Sequence, residues 1–402
     1  MRKTIAIIAL YLASPTLRAT EPTVTDSTAT ISSHFGVDIR GGYAFSSHDN
    51  VMELLPDDDR KETHSAISAH LKYSFSLNNK KSRYPGVYQG IGVGITTFND
   101  ARNVGTPVSV YVFQGAPIVN FSDRLSLFYE WNFGASMGWK KSDGEEIYSN
   151  LTVGSRANAY LNVGFMLRYR LNSRFSLMAG IDLSHYSNGN TSWPNPGVNT
   201  AGGRIGLVYT PQGEQQDTST PFRRSFSFRP GFSYDLTLYG AWRKGIFSDK
   251  SSDYYTPDAS PVMLPGHFGV AGVNFAPMYD IRHFFRAGIS ADIQWDESSN
   301  LNKYRIDGTS GDYIKFTRPP FYKQVSAGLS ARAELVMPIF SINAGIGYNF
   351  LGPEETRKCY QMLTLKTYVT SSLFLNVGYQ LHEFSKPSNL MLGVGYTFNA
   401  KR

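Results

Sequence analysis

The chain has one cysteine, Cys359, among 402 residues. No internal disulfide can form, so this is not a stapled scaffold. Past its start, no window offers ~18 consecutive apolar residues, which excludes a spanning helix. The excess of one sign of charge is small as well. The formal net charge is +7, and setting aside residues 1–19, with Arg2, Lys3 and Arg18, leaves 7 − 3 = +4. That gives no case for nucleic acid as a partner. His34, His48, His64, His70, His267, His283 and His382 show no metal-ligand spacing, so no metal is assigned, and nothing calls for a cofactor.

Aromatic residues, at 14%, and the 37 glycines are abundant. The start, MRKTIAIIALYLASPTLRA, has two basic residues, an apolar stretch and small residues near Ala19. It reads as a secretory signal peptide over 1–19, with no cysteine nearby to carry a lipid anchor. Residues 20–33 are polar and read as a disordered linker. An exported, aromatic-rich chain without a spanning helix points to β structure.

Period-two alternation recurs along the rest. In 125–139, Tyr129, Trp131, Phe133, Ala135 and Met137 share one face, and Glu130, Asn132, Gly134, Ser136 and Gly138 the other. In 160–171, Leu161, Val163, Phe165, Leu167, Tyr169 and Leu171 oppose Asn162, Gly164, Met166, Arg168 and Arg170. A soluble sandwich also alternates. Strands of ten or more residues with bulky aromatics near their ends fit a transmembrane barrel better, apolar outside and polar inside. About sixteen such strands can be read, eight before and eight after the polar stretch 212–222. Connections alternate between tight (FSDR, LNSR) and long and polar (46–64, 140–155, 247–264), which is the outer-membrane pattern of short inner turns and long outer loops. The acidic run PDDDRKE (56–62) reads as a solvated outer loop. Trp131, Tyr169 and Tyr209 read as girdle or lipid-facing residues. The expected fold is an all-β antiparallel barrel of a Gram-negative outer membrane, with units at 34–211 and 223–402. Whether these close as one cylinder or two is open, with a lean to one. Near the end, Gly393, Tyr396 and Phe398 form a closing strand similar to the signal that the barrel assembly machinery recognises, and NAKR follows it.

The two halves echo each other. AGIDLSHYS (179–187) aligns without gaps on VGYQLHEFS (377–385). Ser385 then matches Ser187, whereas His185 aligns with Glu383 and Asn188 with Lys386. The loop NGNTSWPNPGV has no counterpart. Strand building requires none of this, so the first half carries something extra at 185–199.

Phase gives its direction. Leu177, Ala179, Ile181, Leu183, His185 and Ser187 share one face, the lipid face, and polar groups there need a partner or a task. Residues i and i+2 of a strand lie ~6.6–6.8 Å apart and point the same way. An imidazole can therefore serve a neighbouring hydroxyl as base, provided a third group orients it. Gly203, Ile205, Leu207 and Tyr209 set the lipid phase of the returning strand, and counting back reaches Asn199, whose amide oxygen can accept from the histidine N–H. The Asn188-Gly189 turn offers backbone N–H groups for an oxyanion hole. Trp193, Pro194 and Pro196 would stiffen the loop. Asp182 and Glu130 are acids nearby in sequence, but both fall in the lumen phase.

HYSN followed by a Pro/Asn/Gly loop, in a chain of alternating strands, resembles the PagL-type lipid A 3-O-deacylases over roughly 35–211. The resemblance implies a barrel with a lipid-facing serine-histidine-acid site near the outer leaflet. It implies His185 as base, Ser187 as nucleophile and Asn188 at the oxyanion hole, with lipid A or lipopolysaccharide as partner. The family has a glutamate about a dozen residues after the serine, and here that position is at or near Asn199. The implied activity is hydrolysis of an ester-linked acyl chain. Two alternatives stand beside it: a non-catalytic barrel, such as a porin or surface scaffold, and an outer-membrane phospholipase.

Overall fold

The computed structural model describes residues 30–46, 65–78, 84–99, 101–141, 153–192, 197–213, 228–244, 246–247, 262–306, 313–337, 340–384 and 386–399. The signal peptide read at 1–19, the acidic run 56–62, Trp193, Pro194, Pro196, Ser385 and most of the polar linker lie outside them.

Eight strands form the first sheet: β1 (Thr30–Ser46), β2 (Ala66–Asn78), β3 (Tyr88–Phe98), β4 (Gly105–Asn120), β5 (Leu125–Trp139), β6 (Ala157–Arg170), β7 (Phe175–Ser187) and β8 (Val198–Tyr209). Each pairs antiparallel with the next, and β8 returns to β1 from Phe35↔Tyr209 to Ser46↔Val198. β9 (Gly231–Arg243) opens the second sheet, followed by a small ribbon of β10 (Ile246–Phe247) and β11 (Val262–Met263). β12 (Phe268–Arg282) and β13 (Phe285–Asp296) come next, then a hairpin of β14 (Asn302–Ile306) and β15 (Tyr313–Thr317). β16 (Val325–Val336), β17 (Phe340–Leu351), β18 (Cys359–Tyr368), β19 (Leu373–His382) and β20 (Lys386–Phe398) complete it, and β20 closes on β9. The chain therefore builds two closed eight-stranded barrels, and the lean to one larger cylinder is corrected. Closure gives every barrel strand a partner on both edges, which a bilayer demands. β1 also begins at Thr30, inside the stretch read as linker.

The alternation sorts side chains as read. Ile67, Leu71, Ile91, Val93, Ile95, Phe165 and Ile181 project outward and are exposed. In the lumen of the first barrel three cations and three anions interlock. Arg40 meets Asp38 at 2.7 Å and Asp182 at 3.2 Å, Lys72 meets Glu130 at 2.8 Å and Asp38 at 3.2 Å, and Arg204 meets Glu130 at 2.9 Å and Asp38 at 3.2 Å. Toward the outer end, Tyr160 contacts Tyr111 and Tyr186 with ring centroids 5.3 and 5.1 Å away. The second lumen repeats the device, with Arg286 and Lys366 each bridging Asp235 and Glu334 at 2.6–2.8 Å. Side chains fill small barrels of this strand number.

Tight inner turns share one chemistry. The oxygens of Ser122, Asn172 and Thr370 each accept from two backbone N–H groups two and three residues on, at 2.8–3.3 Å. Such side-chain acceptors fix a turn locally.

The barrels touch through their apolar exteriors. Trp131 meets Phe340 edge-on at 5.8 Å, beside Leu365, Ile342, Val112 and Phe133. Val87 and Ala116 pack with Met337, and the Tyr84 hydroxyl donates to the His283 carbonyl at 2.8 Å. Gln114 is buried on this face. It accepts from Trp131 Nε1 and donates to the Tyr129 hydroxyl at 3.0 Å. Trp131, read as lipid-facing or girdle, is only 6% exposed, because the second barrel covers it. Tyr169 remains exposed to the surroundings.

Candidate functional site

β7 carries His185 and Ser187 in its last three residues, on the face that exposes Ile181 (67%) and Leu183 (55%). Neighbouring strands fix what stands beside them. His185 is paired across β6 with Leu161 and across β8 with Asn199, and Ser187 is paired with Ala159. The site is thus a polar cap on a greasy wall.

His185 Nδ1 and Asn199 Oδ1 are 2.7 Å apart. An amide oxygen only accepts, so Nδ1 bears the proton and Nε2 keeps its lone pair. That is the tautomer a serine base needs. Gly197 lies over the pair. It has φ +75°, and a Cβ there would come 2.9 Å from His185 Cε1 and 3.5 Å from Ser187 Cβ. The imidazole edge and the serine therefore sit beneath one glycine. Ser187 is buried. Among the described residues no hydrogen bond joins it to the imidazole; such contacts often tighten only around substrate.

Asn188, also buried, begins the next turn. Its carbonyl accepts from Thr191 N at 3.3 Å and Thr191 Oγ1 at 2.8 Å, and its Oδ1 from Ser192 N at 3.4 Å. Gly189 and Asn190 both have positive φ, 64° and 66°. This turn brings the backbone next to Ser187.

Glu130 and Asp182 lie in the lumen, on the far side of the wall from the imidazole, each in an ion pair. Asn199 is the partner that His185 has. Gly197 is the residue that sequence reasoning passed over; a glycine closing the loop just before the strand was the available signal. Among the described residues the second barrel carries no equivalent. β19 stops at His382, which aligns with Ser184, and Glu383, the counterpart of His185, already lies in a turn at φ 53°.

Residues 29–208 match the family model described as lipid A 3-O-deacylase (PagL), and residues 232–400 match that of the acyloxyacyl hydrolase C-terminal domain. Comparison with curated proteins returned no match. Solved structures similar to the chain include the outer membrane enzyme PagL, at 14% identity and TM-score 0.30 over 42% of this chain and 97% of that one. An outer membrane channel from Pseudomonas putida F1 is similar at 12% identity and TM-score 0.19, over 93% of this chain and 99% of that one. At these scores neither structure bears on mechanism. The two family matches each take in one barrel, and together they place the chain in the PagL family of outer-membrane β-barrel deacylases, the first barrel matching the deacylase and the second its C-terminal domain.

Proposed function

We propose that the protein is a serine esterase that removes an ester-linked acyl chain from lipid A or a related glycolipid of the outer leaflet. The first and second barrels are its catalytic and accessory parts, preceded by a signal peptide, and the last strand engages the barrel assembly machinery. The observation that carries the reading is the 2.7 Å His185–Asn199 contact beside Ser187 on the outward face. Ser187 Oγ attacks the ester carbonyl while His185 Nε2 takes its proton. The tetrahedral oxyanion forms near the Asn188-Gly189 backbone. The proton then passes to the departing sugar oxygen, and water clears the acyl-enzyme by the same route. Acyl chains already lie against such a wall, so no lipid has to be extracted. Two filled lumens do not favour a porin.

The test is mass spectrometry of lipid A, and separately of phospholipid, after incubation with purified protein in detergent. Loss of one acyl chain from lipid A supports the reading. Loss from phospholipid alone transfers the site to the phospholipase alternative.

Two substitutions probe the pair's geometry. Asn199→Asp replaces the orienting amide by a carboxylate that also stabilises the imidazolium, and kcat is expected to rise about tenfold. An unchanged or lower kcat would remove Asn199 from the machinery. Gly197→Ala adds a methyl against the imidazole and costs about 1–2 kcal/mol of backbone strain. Displacement of His185 by a fraction of an ångström is expected to lower kcat up to about 100-fold, with the folded band on a heat-modifiability gel retained. Wild-type turnover in this variant would show that the glycine does not hold the ring.

A further inference from the structure

The turn after Ser187 is held from outside its own barrel. The backbone N–H of Lys244, at the outer end of β9, donates to the Asn190 carbonyl at 3.0 Å. Asn190 Nδ2 donates to the Ser388 carbonyl on β20 at 3.2 Å. Leu390, on the same strand, rests on the Gly189 α-carbon so closely that a Cβ there would overlap its Cγ and Cδ2. Glycine is required here twice, for its positive φ and for Leu390. β9 and β20 are also the strands whose pairing closes the second barrel. The grip comes from one seam, and that barrel is itself anchored to the first through Trp131, Phe340 and Met337.

We propose that the second barrel is a positioning element of the hydrolytic site, with Leu390 as its positioning residue. The proposal rests on the esterase reading above. Two successive left-handed residues, one of them Asn190, form a turn with competing conformations. Donors stabilise an oxyanion only if they are already aimed when charge develops. Leu390 fixes the backbone at Gly189. Lys244 and Ser388 fix it at Asn190. Between them the Asn188–Asn190 N–H groups keep one orientation beside Ser187. Leu390 touches no reacting atom. Its effect is expected in kcat, with binding left as it was.

The test uses the full chain in detergent, with Leu390→Ala, Leu390→Met and Asn190→Gly. The last keeps the left-handed backbone and deletes the amide that reaches Ser388. Leu390→Ala and Asn190→Gly are each expected to lower kcat on lipid A about tenfold or more, with KM within about twofold. Leu390→Met is expected to restore most of it. Amide exchange at Thr191 and Ser192 is expected to quicken in Leu390→Ala as local opening becomes easier, with gel mobility unchanged. An active wild type whose kcat survives Leu390→Ala, or whose 191–192 exchange does not change, overturns the proposal and leaves the esterase reading intact. A wild type that leaves lipid A intact overturns the esterase reading, and this proposal with it.

Discussion

Ser187→Ala is expected to abolish deacylation, lowering kcat by about 10⁴- to 10⁶-fold, the range seen when the nucleophile of a serine hydrolase is lost. The reason is chemical. Alanine leaves nothing to form the acyl-enzyme, and water is not placed to replace Oγ. His185→Ala should cost about as much, because the serine hydroxyl is a poor nucleophile without a base. The double variant should be little worse than either single one, since groups that act as a unit are strongly non-additive. Mass spectrometry of lipid A checks all three. If the losses of the single variants multiplied, the two side chains would be acting independently, and the paired mechanism would fail. Ser187 is small, sits at a strand end and adds no ion pair to the lumen, so the alanine variant should fold normally.

Glu130→Gln is expected to be the most damaging single change to stability. Glu130 is fully buried in the first lumen and accepts from Lys72 at 2.8 and 3.0 Å, Arg204 at 2.9 Å and Tyr88 at 2.9 Å. Removing its charge leaves three cations facing two anions where water cannot screen them. Breaking a buried pair from one side costs about 3–5 kcal/mol. Urea unfolding in detergent should show the loss as a lower midpoint. Lys72→Met added to Glu130→Gln restores the charge balance and should recover part of it. An unchanged midpoint would mean that the lumen is wetter than its packing implies. Turnover per folded molecule should stay near wild type, because Glu130 lies on the opposite side of the wall from His185.

How much of this could be read in the sequence depends on whether the information is local. Strand phase is local, and counting by twos placed His185, Ser187 and Asn199 on one face and Glu130 and Asp182 on the other. The register His185↔Asn199 followed from the same counting across one connection. Closure is not local. Sixteen alternating segments are compatible with one ring or two, and the deciding pairs, β1 with β8 and β9 with β20, join segments far apart in the chain. The barrel–barrel contact was hidden for a different reason. Trp131 and Phe133 are apolar whether lipid or protein covers them. Gln114, a polar residue in the outward phase of β4, was the one available hint. The brace on Asn190 reads through backbone groups of Lys244 and Ser388, whose side chains give no signal of it.

Closure has a consequence for the site itself. In an open sheet, a strand can slip by one residue at an edge, and each slip turns its side chains to the opposite face. A ring has no edge at which to begin. A slip of β7 would have to be matched at β6 and at β8, and so around to β1, breaking ladder bonds all the way. The outward aim of His185 and Ser187 is therefore a topological property of the first barrel, shared by all eight strands and alterable by none of them singly.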